Sequence, residues 1–328
     1  MSRRRPGALQ GADGFTSADA NAYAAGVPSP APLIAERPSV MRTTGWADYE
    51  LLDSGAGRKL ERYGPHRVVR PEPQCLWRPQ LSHADWDAAE AAFDPEGEED
   101  AGHWRFSRPL DVRWPLAWGG VRFFGRFTSF RHLGFFPEQA ANWAFVDEAV
   151  RTAGPGAQIL NLFGYTGVAS LVAAAAGASV THLDASKRAI GWARENAELA
   201  GLADRPVRWI CEDARRYVQR EARRGSRYDG VILDPPKYGR GPNGEVWRIY
   251  EDLPGLLATC AELLSDKARF LIANVYAERI SGLAVASLMR EALAGRGGRI
   301  DWGELALVEA SGQRAVGVSF FARWTAEP

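Results

Sequence analysis

Residues 158–184 read QILNLFGYTGVASLVAAAAGASVTHLD. Gln158 to Phe163 is a predicted strand, and Asn161-Leu162-Phe163-Gly164-Tyr165-Thr166-Gly167 ends it in a glycine-bearing turn. Val168 to Ala176 is a predicted helix, closed by Gly177 where a left-handed cap favours glycine. Ser179 to Leu183 is a second strand, ending on Asp184. Repeating this unit gives a parallel sheet with helices on both faces.

The beat continues on both sides. Pro137 to Thr152 is a predicted helix with proline in its first turn, Ser186 to Ala200 a helix stopped by Gly201, and Val207 to Ile210 a strand. Ala214 to Arg223 is a helix, Tyr228 to Leu233 a strand, Glu251 to Leu264 a helix, Arg269 to Ala273 a strand and Ile280 to Ala294 a helix. Glu304 to Glu309 and Ala315 to Trp324, joined by a Ser311-Gly312 turn, must pair antiparallel. The expected fold is α/β: a doubly wound, Rossmann-like, mostly parallel sheet over residues 131–328 with a terminal antiparallel β-hairpin.

Upstream the texture differs. Residues 1–40, rich in Ala, Pro, Gly, Ser and Arg, read as a flexible tail. Residues 41–130 read as a small, mostly β subdomain: two strands around Ser54-Gly55-Ala56-Gly57, further strands over His66 to Arg70 and Val121 to Phe130, and an acidic loop from Asp94 to Asp100. Its tryptophans, from Trp46 to Trp118, suit core filling better than base stacking.

Composition sets limits. The 328 residues carry 40 Lys+Arg against 40 Asp+Glu, with 46% hydrophobic residues, which excludes a histone-like polycation and wholesale disorder. The longest apolar run, Val168 to Val180, is too short to cross a membrane, and the basic start is followed by no apolar segment, so no secretory signal is expected. Cys75, Cys211 and Cys260 lack a CxxC spacing, and His103, His132 and His182 lack metal-like spacing. We expect a cytoplasmic protein with no disulfide framework and no metal.

Chemistry belongs at the carboxyl ends of the strands, where strand order reverses. Gly164 and Gly167 let the backbone turn tightly towards a ligand, and the helix start offers free N–H groups, although two such glycines also suit an ordinary turn. The GxGxxG of a dinucleotide fold is missing. Asp184 stands where a carboxylate accepts both hydroxyls of a ribose, and Cys211-Glu212-Asp213-Ala214 places another acid where an adenine amino group is met. Asp234-Pro235-Pro236-Lys237-Tyr238 is the most specific signal: two prolines make a rigid loop that aims its carbonyls and the Asp234 carboxylate outward, with Tyr238 as a stacking face.

In this order, these motifs resemble those of class I S-adenosylmethionine-dependent methyltransferases, and more narrowly bacterial 23S ribosomal RNA methyltransferases acting on cytosine C5 or guanine N7. Leu133-Gly134-Phe135-Phe136-Pro137-Glu138-Gln139-Ala140-Ala141-Asn142 is similar to the segment preceding their cofactor loop, and the likeness covers residues 120–324. The resemblance implies that S-adenosyl-L-methionine binds with its methionine end against Asn161, Phe163, Gly164, Tyr165, Thr166 and Gly167. It implies ribose at Asp184, Ala185 and Ser186, adenine at Asp213 and Ala214, and closure by Phe135 and Gln139. Asp234, Pro235, Pro236 and Tyr238 would be catalytic, and Lys237, Tyr238, Arg240 and Asn274 would contact an RNA base. One departure bears on the acceptor. The cytosine C5 relatives carry a nucleophilic cysteine after the fifth strand, and Phe270 to Tyr276 here has none. Cys260 falls mid-helix and Cys211 at the wrong strand end, so a nitrogen acceptor is expected. The arginines between Arg205 and Arg227 suit either a phosphate-tracking face or a helix with scattered ion pairs. Three alternatives stay open: a small-molecule or protein acceptor, a dehydrogenase, and a non-catalytic binder of cofactor or RNA.

Overall fold

The computed structural model describes residues 31–96, 102–276 and 280–327. The described chain opens with β1 (Leu33–Ile34), β2 (Ser39–Thr43), β3 (Tyr49–Gly55), β4 (Arg58–Tyr63) and β5 (His66–Pro71). A short helix α1 (His83–Asp87) precedes β6 (Ala91–Pro95), β7 (Gly102–Phe106), β8 (Arg113–Trp118) and β9 (Val121–Arg126). β3 to β7 form a five-stranded sheet, and β8 and β9 a separate hairpin.

One 3-10 turn, Pro137–Gln139, leads into α2 (Ala140–Ala153). The alternation then runs β10 (Gln158–Leu162), α3 (Val168–Ala175), β11 (Ser179–Asp184), α4 (Lys187–Leu199), β12 (Val207–Cys211), α5 (Ala214–Arg224) and β13 (Gly230–Leu233). After a small hairpin, β14 (Tyr238–Arg240) and β15 (Val246–Arg248), come α6 (Ile249–Glu262), β16 (Phe270–Val275), α7 (Gly282–Ala292), β17 (Arg299–Val308) and β18 (Ala315–Thr325). The main nine-stranded sheet has the order β1-β17-β18-β16-β13-β10-β11-β12, with β2 also on β17. β12, β11, β10, β13 and β16 are parallel, and β18 runs antiparallel between β16 and β17. β13 and β16 are buried at every position, as strands covered on both faces must be. The expected Rossmann-like sheet with its terminal hairpin is what forms.

Three local expectations change. The tail was expected to reach residue 40; residues 1–30 lie outside the described residues, but Leu33–Ile34 and Ser39–Thr43 are strands lying parallel to β17. β17 starts five residues earlier than expected and exposes an edge whose N–H and C=O groups need partners, which β1 and β2 supply. The strand expected to reach Phe130 stops at Arg126, and the hairpin of β14 and β15 after Tyr238 was not foreseen. Of the acidic loop, Asp94 and Pro95 end β6, and residues 97–101 lie outside the described residues.

The β-rich region is pressed onto the main sheet. Trp46, Tyr63, Trp114, Phe123, Phe135 and Trp143 share one buried cluster with Val168, Leu171 and Val172 of α3. Trp46 meets Trp143 edge-on at 5.8 Å, and Phe123 meets Phe135 at 5.0 Å. A buried ion pair stiffens this region. Arg70 grips Glu61 through Nε and Nη2, each at 2.7 Å, and Tyr49 donates to the same carboxylate at 2.8 Å. Burial alone would raise the Glu61 carboxyl, but Arg70 and Lys59 hold it at about 2.

Candidate active site

From β10 the chain turns to β11 and β12 on one side, and from β13 to β16 on the other. This reversal opens a cleft at the carboxyl ends of β10 and β13. Its walls include Phe135, Phe136, Gln139, Asn142, Asn161, Phe163, Gly164, Tyr165, Thr166, Asp234 and Asn274.

The loop after β10 is held in an unusual shape. Phe163 (φ 57°) and Tyr165 (φ 49°) both occupy the left-handed region, as does Gly167 (φ 83°), which starts α3. L side chains rarely adopt that conformation, so the surroundings must impose it. Beneath the loop, a Cβ on Gly164 would lie 2.4 Å from the His182 ring, so only glycine fits. His182 is fully buried and neutral, pushed down to about 3 by burial. Its Nδ1 lies 2.9 Å from Ser170 Oγ, which accepts from Asn161 Nδ2 at 2.9 Å. Asn161 thus lines the cleft while spending its amide on the support underneath.

Asp184 receives the Tyr165 N–H on Oδ2 (2.9 Å) and the Ser186 N–H on Oδ1 (2.8 Å). Burial nevertheless raises its carboxyl against the lowering effect of those two bonds. Asp213 behaves differently. It caps α5 by accepting the Arg216 N–H at 3.1 Å, and Arg215 lies 3.5 Å from its other oxygen. Neither Asp213 nor Ala214 lines the cleft, and Asp184, Ala185 and Ser186 also lie outside its lining, on the far side of Tyr165.

At the far end of the cleft, Asp234 accepts from Gln139 Nε2 at 3.3 Å. Burial and the negative charge of Glu138 push its carboxyl up to about 7. Behind it lies a cradle of amides. Asn142 Nδ2 donates to Gln139 Oε1 (3.0 Å) and to Asn274 Oδ1 (2.8 Å), and Asn274 Nδ2 donates to Gln139 Oε1 (3.0 Å). Asn142 Oδ1 is buried and has no hydrogen-bond partner. Asn142 is the residue missing from the expected set. The signal was available: it lies on the α2 face that buries Ala140, Trp143 and Val146, an odd place for a polar side chain.

The Pro-Pro loop corrects one expectation. Its carbonyls do not all aim outward, because Pro236 accepts the Trp247 indole N–H (2.6 Å) and Lys237 the Ile249 N–H (3.1 Å). The loop is thereby braced from β15 and α6. Pro235 is buried, whereas Pro236, Lys237, Tyr238 and Arg240 are exposed outside the cleft. Phe130 stacks on His132 (5.3 Å, 11°), and His132 faces the hydroxyl of Tyr165, a cleft residue, at 3.2 Å. Half of the arginine-rich stretch is paired: Arg215, Arg216, Arg220 and Arg224 each meet an acid. Cys260 is fully buried, with its thiol pushed up by burial, and exposed Cys211 donates to the Ala185 carbonyl (3.6 Å) on the Asp184 side.

Residues 93–276, more than half of the chain, match the family model for S-adenosylmethionine-dependent methyltransferases. A solved S-adenosylmethionine-dependent methyltransferase from Agrobacterium tumefaciens is 50% identical, covering 91% of this chain and 96% of that one, with a TM-score of 0.87. A structure described as such a methyltransferase from Streptococcus mutans shares the fold alone, at 17% identity over 86% of this chain and 76% of that one, with a TM-score of 0.65. The ribosomal RNA large subunit methyltransferase K/L of Shewanella frigidimarina is 30% identical over 157 residues, 47% of this chain and 21% of that protein. The chain thus spans about a fifth of the length of that curated relative.

Proposed function

The chain belongs to the S-adenosylmethionine-dependent methyltransferase family, and on that premise we propose that it methylates a base of ribosomal RNA at a nitrogen atom. The cleft suits the cofactor: Asp184, half-buried just beyond Tyr165, offers a carboxylate to hydroxyl donors, and Phe136 and Phe163 supply apolar walls. When bound, S-adenosylmethionine supplies a methyl group on positively charged sulfur, already activated for displacement. The protein's part is mainly positioning. The loop from Phe163 to Gly167 walls the methionine end, Asp184 with Ala185 and Ser186 takes the ribose beyond Tyr165, and Asp213 with Ala214 stands on the adenine side, outside the cleft lining. Gln139 closes the opposite wall, with Phe135 packed behind it.

The observation that carries the nitrogen reading is Asp234. It lies at the reversal point and its carboxyl titrates near neutrality, so at working pH it can accept an N–H hydrogen bond and then the proton that the nitrogen releases. Methylation of cytosine C5 needs a thiolate beside the base, to add at C6. Cys260 is sealed in the core, and Cys211 bonds on the Asp184 side. Tyr238, Lys237 and Arg240, exposed on the adjoining hairpin, suit stacking on a base and holding its phosphate. In this reading residues 131–328 carry the chemistry, and the β-rich region of residues 41–130 shapes the acceptor side. The names of the Shewanella relatives support RNA as the acceptor, and a cytoplasmic location goes with it.

Incubation with S-adenosylmethionine carrying a labelled methyl group, and total RNA from a strain lacking the gene, tests this. Label released by ribonuclease and not by protease, with an N-methylated base in the nucleoside mass spectrum, is the expected result. Label released only by protease, or found on cytosine C5, overturns it.

A further inference from the structure

A second group of arginines lies where β9 packs against α4, and there the guanidinium groups rest on aromatic rings. Arg122, Phe124 and Arg126 share one face of β9, because side chains alternate along a strand, and Arg113 on β8 stands directly opposite Arg126. Arg113 lies over the Phe124 ring at 4.7 Å, Arg126 over Phe124 and Trp192 at 5.1 Å each, and Arg188 over Trp192 at 5.1 Å. Cation and ring thus alternate from the β8–β9 hairpin to the first turns of α4. Like charges directly opposite repel, and Glu195 bridges the pair, 2.8 Å from Arg113 and 2.6 Å from Arg126. That sets one carboxylate against three stacked cations. Arg126 is 7% exposed, and its Nε has no acceptor among the described residues. Arg122 and Arg188 are exposed, with neither an ion pair nor a side-chain hydrogen bond among the described residues. A ring engages the flat face of a guanidinium, whereas the N–H donors radiate in its plane. Stacking therefore fixes these side chains and leaves donors for an anion.

We propose that the ladder Arg113–Phe124–Arg126–Trp192–Arg188, with Arg122 on the same strand face, tracks the phosphates of the RNA strand that carries the acceptor base. A row of cations, rather than a single pocket, matches a polyanion. The chain's formal net charge is zero, so attraction for RNA has to come from a local face. Half of the arginines between Arg205 and Arg227 are spent on acids, whereas the ladder keeps an excess of charge and an unpartnered donor that a phosphate on this face would balance. The face is also tied to the cleft. Trp192 lies 6.4 Å from Tyr165, and Asn196 accepts the Phe124 N–H at 3.0 Å while donating to the Thr166 carbonyl at 2.9 Å. A strand held there is registered against the loop that walls the cofactor. This role rests on the RNA reading and gives the β8–β9 hairpin a part in it.

The test is fluorescence anisotropy of a labelled single-stranded RNA of mixed sequence, bound by the full chain over a range of KCl concentrations. Arg122→Gln combined with Arg188→Gln should weaken binding about tenfold or more. It should also lower the slope of log Kd against log salt by about 1.4, two phosphate contacts at about 0.7 each on a single strand. Arg188→Lys, which keeps the charge but not the planar fork, should keep the slope while losing affinity. Arg223→Gln combined with Arg227→Gln removes the same charge at the end of α5, which leads into the amino end of β13 and so lies away from the cleft. That variant should change Kd by less than about twofold. All four arginines are exposed, so urea melts should match the wild type. Equal weakening by the two double variants would reduce the effect to net charge, and an unchanged salt slope in the first would leave its arginines as packing. Either outcome overturns the proposal and leaves the RNA reading standing, because labelled methyl transfer judges that reading whichever face holds the strand. A wild-type chain that binds no RNA overturns the proposal too, and transfer of label then decides the RNA reading separately.

Discussion

At the scale of single residues, the proposed chemistry rests on Asp234, whose carboxyl is costly to ionise where it is buried. Its carboxyl is raised to about 7 by burial and by Glu138, so its ionised form gains population as pH rises through about 7. Methyl transfer should follow that limb upward and then level off. Asp234→Asn should remove the limb and lower the rate by about 10²-fold or more, with S-adenosylhomocysteine affinity little changed. A pH–rate profile of wild type and variant checks both. A raised folded-state value means that the wild type loses stability as pH rises through about 7. The variant, which keeps no charge there, should therefore be about 1–2 kcal/mol more stable at pH 8, after allowance for solvent in the open cleft. That advantage should shrink towards pH 5. Cysteine chemistry offers the converse check. Cys211→Ala and Cys260→Ala should leave methyl transfer within about twofold, since neither thiol serves as a nucleophile in this reading. Loss of transfer in either variant at unchanged cofactor affinity would restore a carbon acceptor.

At the scale of elements, local rules place the helix starts and long-range packing shapes the loops between them. Asp213, Ser186 and Ser281 each cap the helix that follows them. For Asp213 the cap and the adenine contact can be separated. Asp213→Ala should cost about 1 kcal/mol in urea melts, whereas Asp213→Asn, an equally good cap, should cost only a few tenths. If the asparagine variant melts like alanine, the Arg215 pair outweighs the cap. The loop after β10 obeys a different constraint. Its left-handed Phe163 and Tyr165 are held because Gly164 lies against His182 and the Tyr165 N–H is tied to Asp184.

At the scale of the molecule, the buried neutral imidazole beneath that loop links folding to pH. His182 is held at about 3 in the folded chain, against about 6.5 when unfolded. The unfolded chain therefore takes up a proton below pH 6.5 that the folded chain refuses until about 3, and stability falls with pH across that window. Between pH 6.5 and 5 the wild type should lose about 2 kcal/mol more than His182→Gln. Urea midpoints at the two pH values read the difference, and parallel losses would mean that the imidazole ionises without unfolding the site. The β-rich region acts at the same scale: its aromatic cluster presses Phe135 and Trp143 against α3 and so fixes the wall that carries Gln139 and Asn142.

The sequence by itself determined the alternation of strands and helices from Gln158 onward, the glycine turn, and the placing of Asp184 and Asp234 at strand ends. Each of these follows from side-chain periodicity and turn chemistry within a few residues of chain. The terminal hairpin was legible for the same reason: two apolar strands over a tight turn have one way to pair. Only the tertiary structure decided the rest. β1 and β2 carry weak patterns, and they are strands because β17, more than 250 residues away, leaves them an edge. The carbonyls of Pro236 and Lys237 turn inward because Trp247 and Ile249 reach them. Asn142 entered the site through partners at Gln139 and Asn274, from two separate elements. The Asp234 carboxyl is shifted by burial and by Glu138, nearly a hundred residues upstream. Pairing, burial and charge depend on which distant groups meet, and that is set when the chain folds.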